Sequence, residues 1–208
     1  MSRPSNADWI AYYETSAGRP PRPIFVDALT RFETNLAEST PRYAIDLGCG
    51  GGTESLALLH NGWRVLAIDR EPAAIDYVLS KATGAHRARL ETRVASLEGL
   101  SLPPADFVHA GYSLPYCAPA YFDRLWRAIA TSICLNGRFA GQLFGVRDSW
   151  ASNTDMTFHT AEQVERLLHG VFVVELLQEV DEDGDSFRGA KHWHIFDIIA
   201  RKVQQTSE

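Results

Sequence analysis

The stretch Tyr43-Ala44-Ile45-Asp46-Leu47-Gly48-Cys49-Gly50-Gly51-Gly52-Thr53 decides the fold: a short apolar run ending in a carboxylate is followed by a glycine hinge and then by residues of helical pattern. Consecutive glycines let the backbone turn tightly and approach a ligand that a side chain would block. Asp46, two residues before the first glycine, sits at a strand tip where its charge faces the ligand's head. A pyrophosphate prefers helix amides without a nearby negative charge, so the position suits a cationic head instead. A glycine-rich turn with no ligand is the plainer alternative.

Working outward, Gly62-Trp63-Arg64-Val65-Leu66-Ala67-Ile68-Asp69 reads as the next strand. Its own terminal carboxylate lies about twenty residues past the glycines, the spacing of a ribose-hydroxyl acceptor. Two adjacent strands thus each deliver an acid to one ligand. The ammonium and sulfonium of S-adenosylmethionine (SAM) suit that arrangement. A nicotinamide cofactor is the competing reading, but Thr53 stands where the third glycine of that fingerprint belongs.

From Arg42 onward strand and helix signals alternate: strand 42–47, helix 53–61, strand 63–68, helix 72–82, strands 89–95 and 106–110, helix 119–134, strand 137–145, helix 160–169, strands 171–179 and 192–201. Alternation of this kind predicts one α/β domain, a Rossmann-like, mostly parallel sheet of seven strands with helices on both faces. Gly62 serves as a helix C-cap, Pro72 fits a first helical turn, and Thr160 with Gln163 forms a capping box. The last two strands have no helix between them, so Val180 to Ser186 closes a hairpin and the final strand runs antiparallel. That brings Lys191, His192, Trp193 and His194 to the edge where such sheets bind ligands.

Residues 41–204 hold this domain, and residues 1–40 precede it as a helical extension. Trp9, Ile10, Tyr12 and Tyr13 sit at helical spacing, Arg19-Pro20-Pro21-Arg22-Pro23 reads as a stiff extended connector, and Ile24 to Leu36 again looks helical. The extension reads as a lid over the ligand or, alternatively, as a permanent packing layer on the sheet flank.

Composition narrows the partners. With 208 residues and 45% hydrophobic content the chain can bury a full core. It has no apolar run of membrane-spanning length and a polar start, so the expectation is a cytoplasmic protein. The odd number of cysteines, Cys49, Cys117 and Cys134, argues against a disulfide framework, and Cys134 reads as core of the helix 119–134. A net charge of −6 gives no footprint for a phosphate backbone. A small molecule is the expected partner, with neither nucleic acid nor membrane, for a monomer or homodimer.

The chain resembles the class I SAM-dependent methyltransferases, with Asp46 to Gly52 matching their first motif and Asp69 their ribose-binding acid. Tyr12-Tyr13, Gly18, Arg19-Pro20-Pro21, Met156-Thr157-Phe158-His159-Thr160 and Lys191-His192-Trp193-His194-Ile195-Phe196 also resemble a bacterial small-molecule group related to the tellurite-resistance methyltransferases. The strand order this implies is 3-2-1-4-5-7-6. The implied cofactor is SAM, leaving S-adenosylhomocysteine (SAH). Its expected contacts are Asp46, Leu47, Gly48, Cys49, Gly50 and Gly52, then Asp69 and Arg70, and at the fourth strand Ala110 and Tyr112. Where the family places an acid for adenine, this chain has Ser96, so recognition falls to its hydroxyl, to Leu97 or to Glu98.

Methyl transfer needs alignment more than a reacting side chain. For the acceptor side the expectation is Tyr112, Tyr116, Arg147, His192 and His194, a histidine being able to deprotonate a thiol, hydroxyl or amine. Arg147 reads equally as a partner of Asp148. His159 also lies near the expected rim. His192 and His194 at strand spacing lack a third ligand, so no metal is expected. The Asp181 to Asp185 segment departs from a calcium loop at Ser186 and His192, and as an acidic loop over the site it disfavours free oxyanions. Which acceptor atom is methylated (sulfur, oxygen, nitrogen or a metalloid) stays open, as does a catalytically silent SAM-binding sensor.

Overall fold

The computed structural model describes residues 18–32, 41–186 and 189–204. Trp9, Ile10, Tyr12 and Tyr13 and the end of the second helical pattern lie outside them. The elements in chain order are α1 (Pro23–Thr30), β1 (Tyr43–Leu47), α2 (Thr53–His60), β2 (Arg64–Asp69), α3 (Pro72–Lys81), α4 (Gly84–Arg87) and β3 (Leu90–Val94). After these come β4 (Ala105–Ala110), a 3-10 turn (Leu114–Tyr116), α5 (Pro119–Ser132), β5 (Ile133–Gly145), β6 (Phe158–His159), α6 (Ala161–Leu168), β7 (Phe172–Ser186) and β8 (Gly189–Lys202).

The sheet runs β3-β2-β1-β4-β5-β8-β7, with β8 antiparallel to both neighbours and the two-residue β6 alongside β5. This is the order that the resemblance implies, with β6 as an addition. No helix intervenes between β3 and β4, as expected from the short segment joining them.

Strand parity sorts the side chains onto two faces. Ile45, Leu47, Ile68, Val108, Ala110, Phe139 and Leu143 point to the face covered by α5 and α6, where Leu125, Trp126, Ile129, Val164 and Leu168 complete one core. Ala44, Val65, Ala67, Phe107, Ala140 and Ile199 point to the other, against Phe25 and Ala28 of α1, Leu58 and Leu59 of α2, and Val78 of α3. Asp46, Asp69 and His109 continue the second set, so all three emerge on the face of α1 to α3.

Several boundaries differ from the sequence expectation. Pro23 is the first residue of α1 rather than part of the extended connector, since a proline lacks the amide that the first helical position leaves unpaired anyway. Helix α5 ends at Ser132, so Cys134 lies in β5, only half-buried. There Asn136 takes φ +65° and the pairing with β4 shifts between Ala105 and Phe107. The acidic segment from Val180 is strand, not loop. Asp181 pairs with His194 and Asp183 with His192, and this alternation of opposite charge across the ladder extends β7 to Ser186. The capping box at Thr160 and the proline at the start of α3 form as expected. Among the described residues no helix is long and apolar enough to cross a membrane.

One glycine outside the loop tests this geometry. A Cβ on Gly145 would stand 2.0 Å from His194 Nδ1, an overlap that only movement of β5 or β8 could relieve. We expect Gly145→Ala to cost about 1–3 kcal/mol of stability, the range for overpacking a close-packed interior. Gly51→Ala, where the added atom meets nothing within 4 Å, serves as the near-neutral control. Equal denaturation midpoints for the two variants would refute the packing account.

Candidate active site

The glycine loop is held by backbone hydrogen bonds to β2. The amides of Gly48 and Cys49 donate to the Ile68 carbonyl at 2.8 and 3.0 Å, and the Gly52 amide turns back to Cys49 at 2.8 Å. Gly48, Gly50 and Gly52 all take positive φ, which other residues adopt only at a cost. At Gly48 a side chain would strike Ser113, and at Gly52 it would strike Val78, whereas Gly51 faces open space. Two of the four glycines are therefore fixed by packing, and the open one marks the room for a ligand.

Both strand-tip acids are buried and already partnered. Asp69 accepts the Gly50 amide on Oδ2 and the Glu71 amide on Oδ1, each at 2.9 Å. Burial raises its carboxyl above the ordinary range against the pull of those amides, and the charges of Glu71 and Asp46 add to the rise. Asp46 accepts the Ser55 hydroxyl at 2.6 Å and pairs with His109 Nδ1 at 2.9 Å. The other ring nitrogen of His109, Nε2, is buried without a hydrogen-bond partner. Burial, helped by Asp46 and Asp69, lifts the Cys49 thiol well above its usual pKa, so that this side chain is a neutral wall and not a nucleophile.

These groups line a cavity of about 610 Å³, within the range of sites that enclose a whole small ligand. Of the expected cofactor residues, Asp46, Gly48, Cys49, Gly50, Asp69, Arg70, Ser96, Leu97 and Tyr112 line it, as does Glu98. Leu47 and Ala110 do not. Their parity turns both side chains into the α5 and α6 core, where each is fully buried. Gly52 is also absent from the lining, because it serves as the N-cap of α2 against Val78.

The sequence reading missed several lining residues. Glu54, in the first turn of α2, receives a bidentate ion pair from Arg19 at 2.7 and 2.6 Å and the Arg22 amide at 3.1 Å. Burial by itself would raise the Glu54 carboxyl, but Arg19 holds it below the ordinary range. Residues 19–22 are thereby tied across the cavity, with the Arg22 guanidinium 4.5 Å above the Tyr112 ring. His109 was also overlooked, although its parity with Phe107 on a buried strand was legible.

On the acceptor side Tyr112 and Tyr116 line the cavity as expected. Tyr112 has φ +58°, a costly conformation held by its amide bonding to Gln142 at 3.2 Å and by ring contacts to Phe144 and Trp193. Arg147, His192 and His194, expected on this side, do not line it. The cavity face of β8 carries the odd-numbered residues, Trp193 and Ile195, and a side-chain period of two sends 192 and 194 to the back. There Arg147 bridges Glu179 and Asp181 at 2.6 Å each, and His194 contacts Glu179 at 2.8 Å. His192 sits between Asp181 and Asp183 at 2.7 and 2.8 Å. Glu179, Asp181 and His194 gather three ligand-type atoms within 4.8 Å of one another, and the Arg147 guanidinium supplies the positive charge between the two carboxylates. His159 packs against Phe122 at 4.5 Å, and burial lowers its pKa to about 4, which leaves it neutral.

Residues 44–137 match the family model described as methyltransferase domain. No curated protein matches the sequence significantly. Among solved structures, TehB from Haemophilus influenzae is similar at 13% identity and a TM-score of 0.73, over 93% of this chain and 67% of that one. A chain from the complex of the Haloferax volcanii Trm112 methyltransferase activator is similar at 14% identity and a TM-score of 0.71, over 97% of each. The Burkholderia thailandensis 1,6-didemethyltoxoflavin-N1-methyltransferase, solved with bound 1,6-didemethyltoxoflavin and SAH, shares 18% identity at a TM-score of 0.63, over 98% of this chain and 94% of that one. The chain carries a methyltransferase domain over residues 44–137 and shares the fold of the SAM-dependent methyltransferases named, whose cofactor is SAM. It resembles the group to which TehB belongs.

The back-face charges give a pH prediction. Asp183 first, then Asp181, raise the pKa of His192 above 6.5. A raised folded-state pKa contributes stability that is fully present below the unfolded value and lost as pH rises through the folded one. Hydrogen exchange of amides 181–186 and 190–194, corrected for intrinsic rates, is expected to quicken as pH rises above 6.5 through the raised pKa of His192. His192→Gln should flatten that trend. An unchanged trend in the variant would refute the assignment to His192.

Proposed function

We propose that this methyltransferase acts on a small-molecule nucleophile, held in the same cavity as the cofactor. The observation that carries the reading is the division of that cavity: the glycine loop and the Asp46 and Asp69 carboxylates form one half, and the rings of Tyr112, Phe144, Trp150 and Trp193 form the other. The open position at Gly51, the Asp69 carboxylate and the Ser96-Leu97-Glu98 segment suit the methionine, ribose and adenine parts of SAM in turn. Bound there, SAM supplies an electrophilic methyl on a sulfonium. The chain's part is to hold the acceptor in line and exclude water, with Tyr112 and Tyr116 shaping the acceptor side.

A net charge of −6 and the exposed Glu182 and Asp185 at the mouth support a small acceptor over a polyanionic nucleic acid. The Arg19 to Glu54 ion pair supports the reading of residues 18–32 as the inner part of a lid.

Calorimetry with SAM, SAH and NAD tests the cofactor half. SAM and SAH should bind and NAD should not. Asp69→Ala should weaken SAH binding by at least about 1–3 kcal/mol, because it removes an acceptor for buried hydroxyls and also frees the Gly50 and Glu71 amides that fix the loop. Gly51→Leu should block binding with an unchanged unfolding midpoint, because its side chain enters the open space. NAD binding without SAH binding, or a Gly51→Leu variant with wild-type affinity, would overturn the placement.

A further inference from the structure

The acceptor half of the cavity is built from ring faces. Trp193 lies 5.8 Å from both Tyr112 and Phe144 and 6.0 Å from Trp150, ring centre to ring centre. Ile195 and Val180 complete the wall. The Trp193 indole N–H donates to the Asp185 carbonyl at 3.2 Å and the Tyr112 amide is spent on Gln142, so the wall offers mainly π surface. Such a surface selects flat unsaturated compounds by stacking, and it discriminates weakly among hydroxylated chains.

A cation normally favours such rings, but here one is already present. Lys191 leaves β8 on the same face as Trp193, and its ammonium lies 3.7 Å from the Trp150 ring centre, 4.3 Å from Trp193 and 4.8 Å from Phe144. The side chain is buried and ion-paired with the buried Asp148. Arg22 adds a second cation, a guanidinium, over Tyr112. A further cation stacked on this wall would meet Lys191 through the indoles, whereas an electron-rich ring would be polarised favourably. Facing these cations are Asp148 beside Lys191, Glu54 and Asp197 near Arg22, and Glu182 and Asp185 at the exposed mouth, where solvent screens them.

Resting on the methyltransferase reading of this cavity, we propose that the acceptor is a planar aromatic compound bearing an acidic heteroatom, a phenol or aryl thiol. It stacks on Trp193 and Tyr112, and Lys191 behind the wall excludes cationic acceptors. Methylated as its anion, the acceptor donates a heteroatom lone pair to the methyl carbon while the sulfonium–methyl bond breaks with its pair kept on sulfur. The acceptor's proton has already passed to solvent. No histidine is required at the acceptor, in keeping with the back-face placement of His192 and His194.

The test is equilibrium binding of three ring compounds to the full chain saturated with SAH, read by quenching of tryptophan fluorescence and by calorimetry. The probes are 2-naphthol, its saturated counterpart decahydro-2-naphthol, and the cationic 2-naphthyltrimethylammonium. We expect 2-naphthol to bind at least about tenfold more tightly than either of the others. Trp193→Leu should abolish that preference and Trp193→Phe should keep it. Equal or tighter binding of the saturated or the cationic compound overturns the proposal, as does a preference that survives Trp193→Leu. If SAH binds and none of the three does, the proposal falls while the methyltransferase reading stands. Failure of SAH itself to bind removes both.

Discussion

The carboxylate of Asp69 is the anchor on which the cavity depends. One oxygen takes the Gly50 amide and the other the Glu71 amide, so a single buried side chain fixes the glycine loop and the start of α3 to the tip of β2. Two further loop amides bond to the Ile68 carbonyl beside it. A loop with four glycines among its five residues loses much conformational entropy on ordering, because glycine gives up more backbone freedom than any other residue. Those hydrogen bonds offset that loss and leave Gly51 open toward the cavity.

Placing two acids at adjacent buried strand tips is costly, and the surrounding residues show how that cost is met. Asp46 is satisfied by Ser55 and His109, both on the sheet face that its parity selects. Glu54 brings a third carboxylate into the same wall, matched by the Arg19 fork from the N-terminal segment. The negative charge that suits a cationic cofactor head is thus held by groups from α2, β4 and the segment before α1. None of these is adjacent to the motif except α2.

The β7 to β8 ribbon separates two kinds of residue by alternation alone. One face carries Val180, Trp193 and Ile195 into the cavity; the other carries Glu179, Asp181, Asp183, His192 and His194, tied together with Arg147. The ionic ladder stiffens an arm that only β7 and β8 build, since β5 pairs with β8 no further than Phe144 with Ile195. Ring placement over the cavity is therefore supported by charges that never face it.

The sequence by itself determined the α/β alternation, the glycine loop, the two acids and the closing antiparallel hairpin. Each is a local signal: an apolar run of strand length, a glycine cluster, a carboxylate at a fixed distance, a proline or threonine at a helix start. Sequence could also have shown that Leu47 and Ala110 share one face and His109 the other, because parity is written in the chain. Only the tertiary structure decided which face of β8 meets the cavity. The histidines His192 and His194 drew attention by their chemistry, yet the pairing of Ile195 with Phe144 gives the site to Trp193 instead. The contacts of Glu54 with Arg19 and of Asp46 with His109 span 35 and 63 residues. No periodicity or propensity reports such distances: the pairing of β1 with β4 sets Asp46 beside His109, and the placement of the segment before α1 against α2 brings Arg19 to Glu54.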